Sequence, residues 1–135
     1  MEISEVFQEY HFARTANLIN SHVAKPLSLD LTVELAKDRA SFSYLHVQII
    51  FEYGGVALNK LESNTIEQTY NLMRQSANGL LLLHNLEIAH LDIKPANMVY
   101  DPKKDLLKIV DMGSAFGGSN KKRLGATTIV SLKGR

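Results

Sequence analysis

The residues best suited to chemistry in this 135-residue sequence lie in the stretch 90–97, which reads His-Leu-Asp-Ile-Lys-Pro-Ala-Asn. Pro95 would remove a hydrogen-bond donor from a helix, so this stretch is predicted to be a loop. Apolar residues flank the polar ones, which indicates a loop attached to a core while Asp92, Lys94 and Asn97 face a cleft.

These side chains suit a phosphate-bearing substrate that is held with a metal ion. Mg²⁺ prefers oxygen ligands, and Asn97 can supply them together with Asp111, which begins a downstream Asp-Met-Gly. Lys94 offers a positive charge to a phosphate, and Asp92 is left free to accept a proton from an attacking hydroxyl. The combination predicts phosphoryl transfer. The structural alternative is a loop in which the Asp and Asn side chains only stabilise turns.

HLDIKPAN followed by DMG resembles the catalytic-loop and metal-binding motifs of the eukaryotic protein kinase family, serine/threonine type. The resemblance implies ATP and Mg²⁺ as cofactors and transfer of the γ-phosphoryl group to a serine or threonine hydroxyl of a protein. It implies that Asp92 is the catalytic base, that Lys94 contacts the γ-phosphate, and that Asn97 and Asp111 bind the metal. His90 resembles the family's structural histidine.

The composition predicts one globular domain or part of one, because 45% of the residues are hydrophobic. The sequence has no cysteine, which agrees with an intracellular, reducing location. The longest apolar run, residues 79–83, is too short to cross a membrane. After Asp111 there are five basic residues and no acid, a basic arm without the aromatic pattern of nucleic-acid binding. We therefore expect neither a nucleic-acid nor a membrane partner.

Three segments are predicted before the helix that leads into the loop at His90. Residues Ser4–Ile19 have a helical apolar spacing, and by the resemblance this is the small-lobe helix whose glutamate is Glu9, with Glu5 as the rival. Apolar and polar residues alternate over 27–34 after Pro26, which predicts a half-buried strand. Residues Tyr44–Tyr53 are β-branched and aromatic and predict a second strand ending at two glycines.

In the kinase family two such strands lead to the hinge that reads adenine. By that resemblance Phe51 is the gatekeeper, while the Glu52 carbonyl and the Gly54 amide face the adenine edge. Val99 would form the apolar floor below the adenine. A strand followed by a simple turn is the alternative reading.

Thr65 followed by Gln68 is a capping signature that predicts a helix start. Apolar residues then recur every three or four positions from Ile66 to His84, which predicts one apolar face and a packed His84. Residues 98–110 predict a β-hairpin that places Asn97 and Asp111 at neighbouring strand ends. The composition after Gly113 predicts a mobile segment, where the family has its activation loop.

We therefore predict an α+β, protein-kinase-like but incomplete fold over residues 1–135. Residues 1–53 would belong to the small lobe, 54–62 to the hinge region and 63–135 to the large lobe. The family's G-x-G-x-x-G loop, its ATP-binding lysine strand and its A-P-E motif are missing. We expect the leucine-rich helix to be covered by missing kinase segments or by a partner.

Two substitutions depart from the family pattern, because Leu91 stands where arginine is common and Met112 replaces phenylalanine. The missing motifs predict that this chain is inactive by itself. The alternatives are a non-catalytic kinase-like binding module, a degenerate fragment, or a small-molecule phosphotransferase of similar fold.

Overall fold

The structure, a computed structural model, describes residues 3–34, 44–62 and 64–117. The predicted polar interval at 37–43 and the basic arm at 121–135 lie outside these residues. The helices are α1 (Ile3–Asn17) and α2 (Ile66–Asn85), and the strands are β1 (Pro26–Glu34), β2 (Tyr44–Phe51), β3 (Val56–Ala57), β4 (Ile88–Ala89), β5 (Met98–Asp101), β6 (Leu106–Ile109) and β7 (Phe116–Gly117). This mixture confirms the predicted α+β class.

The strands form three small antiparallel sheets with the orders β1-β2, β3-β5-β6 and β4-β7. In the β5–β6 hairpin Met98 pairs with Ile109 and Asp101 with Leu106, as the predicted hairpin requires. Strand β3 was not predicted, because two residues between glycines and a short 3₁₀ turn carry no periodic signal. It attaches the segment after β2 to the hairpin.

Two predicted element ends were too long. Helix α1 ends at Asn17, whereas the prediction ended at Ile19, and Leu18 and Ile19 are exposed to 79% and 63%. Strand β2 ends at Phe51, whereas the prediction ended at Tyr53. Apolar side chains at both ends extended the sequence patterns past the backbone hydrogen bonds that define the elements.

The prediction of a half-buried strand is wrong for three of the four apolar residues that alternate along β1. Leu27, Leu31 and Val33 are each more than half exposed. In the described residues β1 pairs only with β2, and a two-stranded ribbon buries little apolar surface by itself.

The core lies where α1, α2 and the hairpin meet. Its largest fully buried side chains include Leu83 of α2, Leu107 and Ile109 of β6, and Met112. At Gly79 the backbone of α2 lies close to His22 and to Ile109 of β6. A Cβ atom at this position would lie 2.9 Å from His22 Cβ and 3.0 Å from Ile109 Cδ1. This packing fixes α2, which leads into the loop at His90, against the strand that leads to Asp111.

The start of α2 confirms the predicted cap, since Thr65 Oγ1 accepts a hydrogen bond of 3.0 Å from the Gln68 amide. Of the predicted packing face only Leu80 packs against the core, and the prediction is wrong for its other residues. Ile66, Tyr70, Met73 and Leu81 are exposed, and the helix instead buries Leu72, Gln75, Gly79 and Leu83. His84, predicted to be packed, is also exposed. The buried face carries a glutamine because the hairpin offers it polar partners.

We expect the isolated chain to be poorly soluble, since α2 exposes the large apolar side chains of Ile66, Tyr70, Met73 and Leu81. Gel filtration should show association, and a dye that reports apolar surface should bind. Replacing Met73 and Leu81 by lysine should reduce both effects without unfolding the chain, because both side chains are exposed. A sharp monomeric peak without dye binding in the wild type would contradict this expectation.

A cluster of polar side chains joins α2 to the turn between β5 and β6. Asp105 Oδ1 accepts hydrogen bonds from Tyr100 Oη at 2.7 Å and from Asn71 Nδ2 at 2.8 Å. Buried Gln75 accepts a bond of 2.7 Å from the Leu107 amide and donates to the Asp105 carbonyl at 3.2 Å. Asp105 has a left-handed backbone conformation, with φ of 47°. The Tyr100 hydroxyl, followed by Asn71, lowers the pKa of the Asp105 carboxyl below its ordinary value.

Replacing Tyr100 by phenylalanine should therefore lower the free energy of unfolding at neutral pH. With its pKa lowered in the folded state, Asp105 contributes this stability fully above its ordinary pKa of 3.8 and loses it as the pH falls through the lowered value. The difference in the free energy of unfolding between wild type and Tyr100→Phe should stay constant above about pH 5 and narrow as the pH falls below about 4 in urea unfolding. Tyr70→Phe, at an exposed tyrosine, is the control. A pH-independent difference would contradict the prediction.

Within the described residues, no helix has the length and apolar character that crossing a membrane requires.

Candidate active site

The loop that follows β4 is held by a buried histidine. His90 Nε2 lies 2.8 Å from the Val110 carbonyl oxygen, and the Asp92 amide lies 3.1 Å from His90 Nδ1. Because a carbonyl can only accept and an amide N–H can only donate, Nε2 carries the proton and Nδ1 accepts. His90 thus ties the loop to the end of β6.

Two non-glycine residues in the site have left-handed backbone conformations. Leu91 has φ of 75°, and Asp111 has φ of 61° and ψ of 73°. Such conformations cost energy for residues with a Cβ atom and occur often at functional sites. Leu91 packs against Ala89 and Phe116. The pairing of β4 with β7 stabilises the backbone turn at Leu91, and Asp92 follows directly after this turn.

Asn97 connects the loop to the strand end that carries Asp111. Its Nδ2 donates to the Asp92 carbonyl oxygen at 2.9 Å and to Asp92 Oδ2 at 3.0 Å. Its own carbonyl oxygen accepts a bond of 2.9 Å from the Val110 amide. Lys94 Nζ lies 3.6 Å from Asp92 Oδ2, and both side chains are partly exposed. Asp92, Asn97 and the residue before Asp111 are therefore in direct contact.

Asp111 precedes a short 3₁₀ turn, residues Met112–Ser114, and its Oδ1 accepts a hydrogen bond of 3.3 Å from the Gly113 amide. Helix α1 packs on this turn. Burial raises the pKa of Glu9, and the negative charge of Asp111 raises it further, while a hydrogen bond from the Met112 backbone opposes the rise. Gln8 Nε2 also donates to the Ala115 carbonyl. Of the two glutamates considered from the sequence, Glu9 is therefore the one on which the charge of Asp111 acts, and it lies at the turn that follows Asp111.

The segment after β2 runs along the hairpin. The Glu52 amide donates to the Lys25 carbonyl at 2.9 Å, and the Glu52 carboxylate lies 3.9 Å from Lys104 Nζ and 4.0 Å from Lys108 Nζ. Gly54 lies so close to Val99 that a Cβ atom would come within 2.7 Å of its Cγ2. Phe51 packs against the core. Phe51, Glu52 and Gly54 thus lie along one connecting segment, and Gly54 reaches Val99.

A comparison with known protein families matches residues 15–132 to the protein kinase domain. The chain belongs to the protein kinase family. The match confirms the family expected from HLDIKPAN and DMG. Glu9 lies before the matched residues.

Several curated kinases are similar to the chain. Protein kinase MCK1 of Saccharomyces cerevisiae is 35% identical over 83 residues, which are 58% of this chain and 22% of the relative. Cyclin-dependent kinase 12 of Caenorhabditis elegans is 28% identical over 134 residues, 95% of this chain and 17% of the relative. The probable serine/threonine-protein kinase ifkC of Dictyostelium discoideum is 30% identical over 99 residues, 70% of this chain and 6% of the relative. The chain spans less than a quarter of the length of each of these three.

Within this kinase segment, two features that sequence reasoning missed hold the site in place. Gln75 was not among the residues predicted to pack, although its amide group bonds to Leu107 and Asp105 of the hairpin. Gly55 has φ of 120°, and a Cβ atom there would lie 2.1 Å from the Tyr100 carbonyl oxygen. The two adjacent glycines could have indicated such a close approach, but the partner strand was not predictable from them.

Proposed function

We propose that this chain is a segment of a serine/threonine protein kinase, whose complete domain transfers the γ-phosphoryl group of ATP to a hydroxyl of a protein substrate. The observation that supports this best is the contact of Asn97 with Asp92 on one side and with the backbone beside Asp111 on the other. A loop whose polar residues only formed turns would not need to join the base and the amide to the backbone that leads to Asp111.

The oxygen atoms of Asn97 and Asp111 fit a Mg²⁺ ion. Because Asn97 uses its Nδ2 to contact Asp92, its Oδ1 is the atom that can face a cation. One carboxylate and one amide oxygen, completed by substrate phosphates and water, are a common Mg²⁺ ligand set. The ion would neutralise charge on the transferred phosphoryl group. Asn97 is buried and hydrogen-bonded, so its position is set before the metal binds.

Asp92 and Lys94 are proposed to act on the reacting groups. The Asp92 carboxylate, oriented by Asn97, would accept the proton of the attacking hydroxyl. Lys94 is exposed and pairs with Asp92 at 3.6 Å, a weak interaction that leaves its ammonium able to turn toward a phosphate.

The adenine would lie beside the connecting segment, with Val99 as its apolar floor. We propose that Phe51 limits the depth of this site, and that the Glu52 carbonyl and Gly54 amide form hydrogen bonds with the base. Contact between Gly54 and Val99 supports this placement. Glu9, next to Asp111, would pair with the ATP-binding lysine of a complete domain. Residues 1–53, 54–62 and 63–135 would then be parts of the small lobe, the hinge region and the large lobe.

We expect no turnover from residues 1–135 alone, because they contain neither a G-x-G-x-x-G nor an A-P-E sequence. An apolar groove of about 500 Å³ lies between α2, the 3₁₀ turn at Leu58–Lys60 and the catalytic loop, which contributes Ile93 and Pro95. We propose that further residues of a kinase domain cover this groove and the exposed face of α2. An intracellular location stays a prediction.

ATP binding tests the proposal directly. The wild-type chain should bind ATP more tightly with Mg²⁺ than without it, measured by calorimetric titration. Asn97→Ala should lose the Mg²⁺-dependent increment, whereas Asn59→Ala, at an exposed position on a 3₁₀ turn, should keep it. If wild type and Asn97→Ala bind ATP equally whatever the Mg²⁺ concentration, the metal assignment is wrong. If the wild type binds no ATP, a non-catalytic kinase-like module is the better description.

A further inference from the structure

The segment that connects β2 to β3 is held at both ends by backbone pairing. The Glu52 amide donates to the Lys25 carbonyl at 2.9 Å, and Val56, the first residue of β3, pairs with Tyr100 of β5. The Glu52 carbonyl and the Gly54 amide, which are proposed to bond adenine, lie between these two ends. Their position therefore depends on what the middle of the segment contacts.

One face of the β5–β6 hairpin supports the middle of this segment. Val99 and Lys108 are directly opposite each other in the hairpin, and residues in this relation lie on the same face. A Cβ atom at Gly54 would lie 2.7 Å from Val99 Cγ2 and 3.7 Å from Lys108 Cδ. The aliphatic part of the Lys108 side chain thus lies beside Val99, and both are next to Gly54.

The ammonium end of the Lys108 side chain reaches Glu52. Lys108 Nζ lies 4.0 Å from Glu52 Oε2, and Lys104 Nζ lies 3.9 Å from Glu52 Oε1. The side chain of Lys104 is exposed to 61%, whereas that of Lys108 is exposed to 10%. Water and salt screen the charge of an exposed lysine more strongly, so Lys108 is the cation that attracts the Glu52 carboxylate more.

We propose that Lys108 is a positioning residue for adenine recognition, an inference that rests on the function proposed above. Its aliphatic part supports Gly54 and its ammonium holds the Glu52 side chain. A single side chain of the hairpin thereby fixes both residues whose backbone groups bond the base. Without the ammonium, Glu52 is no longer held, and the carbonyl and amide meet the base together less often.

Adenosine is the probe, because it carries the base without the charged phosphates. Ligand-observed magnetic resonance on the 135-residue chain should show adenosine binding about fivefold weaker in Lys108→Met than in the wild type, the effect of one partly buried ion pair. Lys108→Arg keeps the charge and should restore binding. Lys103→Gln, at an exposed lysine of the hairpin turn, is the control and should change nothing.

Glu52→Gln tests the partner of Lys108. It should weaken adenosine binding as much as Lys108→Met does, and the double variant should bind no more weakly than either single variant, because both changes remove the same ion pair. Glu52 is partly exposed, so Glu52→Gln decides the question if Lys108→Met does not fold. Additive losses in the double variant would overturn the proposal.

The Mg²⁺-dependent increment in ATP binding separates this inference from the proposed function. That increment is assigned to Asn97 and Asp111, so Lys108→Met should keep it while binding both ATP and adenosine more weakly. If Lys108→Met binds adenosine as tightly as the wild type does, the inference is wrong and the proposed function stands. If the wild type binds neither adenosine nor ATP, the proposed function is wrong, and the adenine role of Lys108 is overturned with it.

Hydrogen exchange of the Glu52 amide measures the position of the segment without nucleotide. This amide is bonded to the Lys25 carbonyl, and it should exchange about fivefold faster in Lys108→Met, with the wild-type rate restored in Lys108→Arg. The Leu107 amide, bonded to Gln75, should exchange at an unchanged rate, which would exclude a general loss of stability. A Glu52 amide that exchanges equally fast in wild type and Lys108→Met would overturn the proposal.

Discussion

Replacing Asp111 by asparagine should lower the rate of phosphoryl transfer by about 10³-fold or more in a version of the protein extended by the remaining segments of a kinase domain. Asp111 has a left-handed backbone conformation, and the turn that follows it packs against α1, which carries Glu9. A neutral amide there would bind Mg²⁺ more weakly, so both the alignment and the charge neutralisation of the phosphoryl group would be lost.

The same assay should rank Asp111→Asn at least as severe as Asp92→Asn, since general-base assistance is worth about 10² to 10⁴ in rate. Asp101→Asn, at the end of β5, is the matched control and should keep nearly full activity. Full transfer by Asp111→Asn would refute the metal assignment. Loss of activity in Asp101→Asn as well would show that the hairpin, and not the ligand, had been damaged.

Replacing Gly55 by alanine should lower the free energy of unfolding by about 3 kcal/mol in urea unfolding experiments. The φ of 120° is unfavourable for alanine, and the added Cβ would lie 2.1 Å from the Tyr100 carbonyl oxygen. Because that atom belongs to the backbone, relief requires the connecting segment to move away from β5. Because the connecting segment is proposed to bind adenine, this movement should also weaken nucleotide binding.

Gly54→Ala is the matched comparison. Its added methyl group would meet the Val99 side chain at 2.7 Å, and a side chain can shift more easily than a backbone carbonyl. We expect a smaller loss of stability than at Gly55. Equal stabilities of wild type and Gly55→Ala would show that the segment is not held in this conformation.

The sequence correctly predicted those elements that are determined by residues close to one another in the chain. The cap at Thr65 and the β5–β6 hairpin are determined by neighbouring residues, and both are present. The burial of α2 was predicted wrongly because it depends on what the rest of the chain offers. Gln75 is buried since its amide bonds to Leu107 and Asp105, which lie 30 or more residues away in sequence.

In the candidate site, too, features set by neighbouring residues were predicted and features set by distant residues were not. The spacing from Asp92 to Asn97 was sufficient to predict that they share a loop, and they are hydrogen-bonded. The left-handed conformations of Leu91 and Asp111 could not be predicted from the residue types, because leucine rarely adopts this conformation and most aspartates do not adopt it either. They arise from the β4–β7 pairing and from the packing of α1 on the turn after Asp111.

The most direct test of the metal site uses Mn²⁺ in place of Mg²⁺ and nuclear magnetic resonance of the asparagine side chains. Substoichiometric Mn²⁺ added with ATP should broaden the side-chain amide signal of Asn97, because its Oδ1 would be bound to the paramagnetic ion. The signal of exposed Asn59, which is not a proposed ligand, should broaden much less, because the broadening falls steeply with distance from the ion. An Asn97 signal that remains as sharp as that of Asn59 at saturating Mn²⁺ and ATP would contradict the assignment of this loop as a phosphoryl-transfer site.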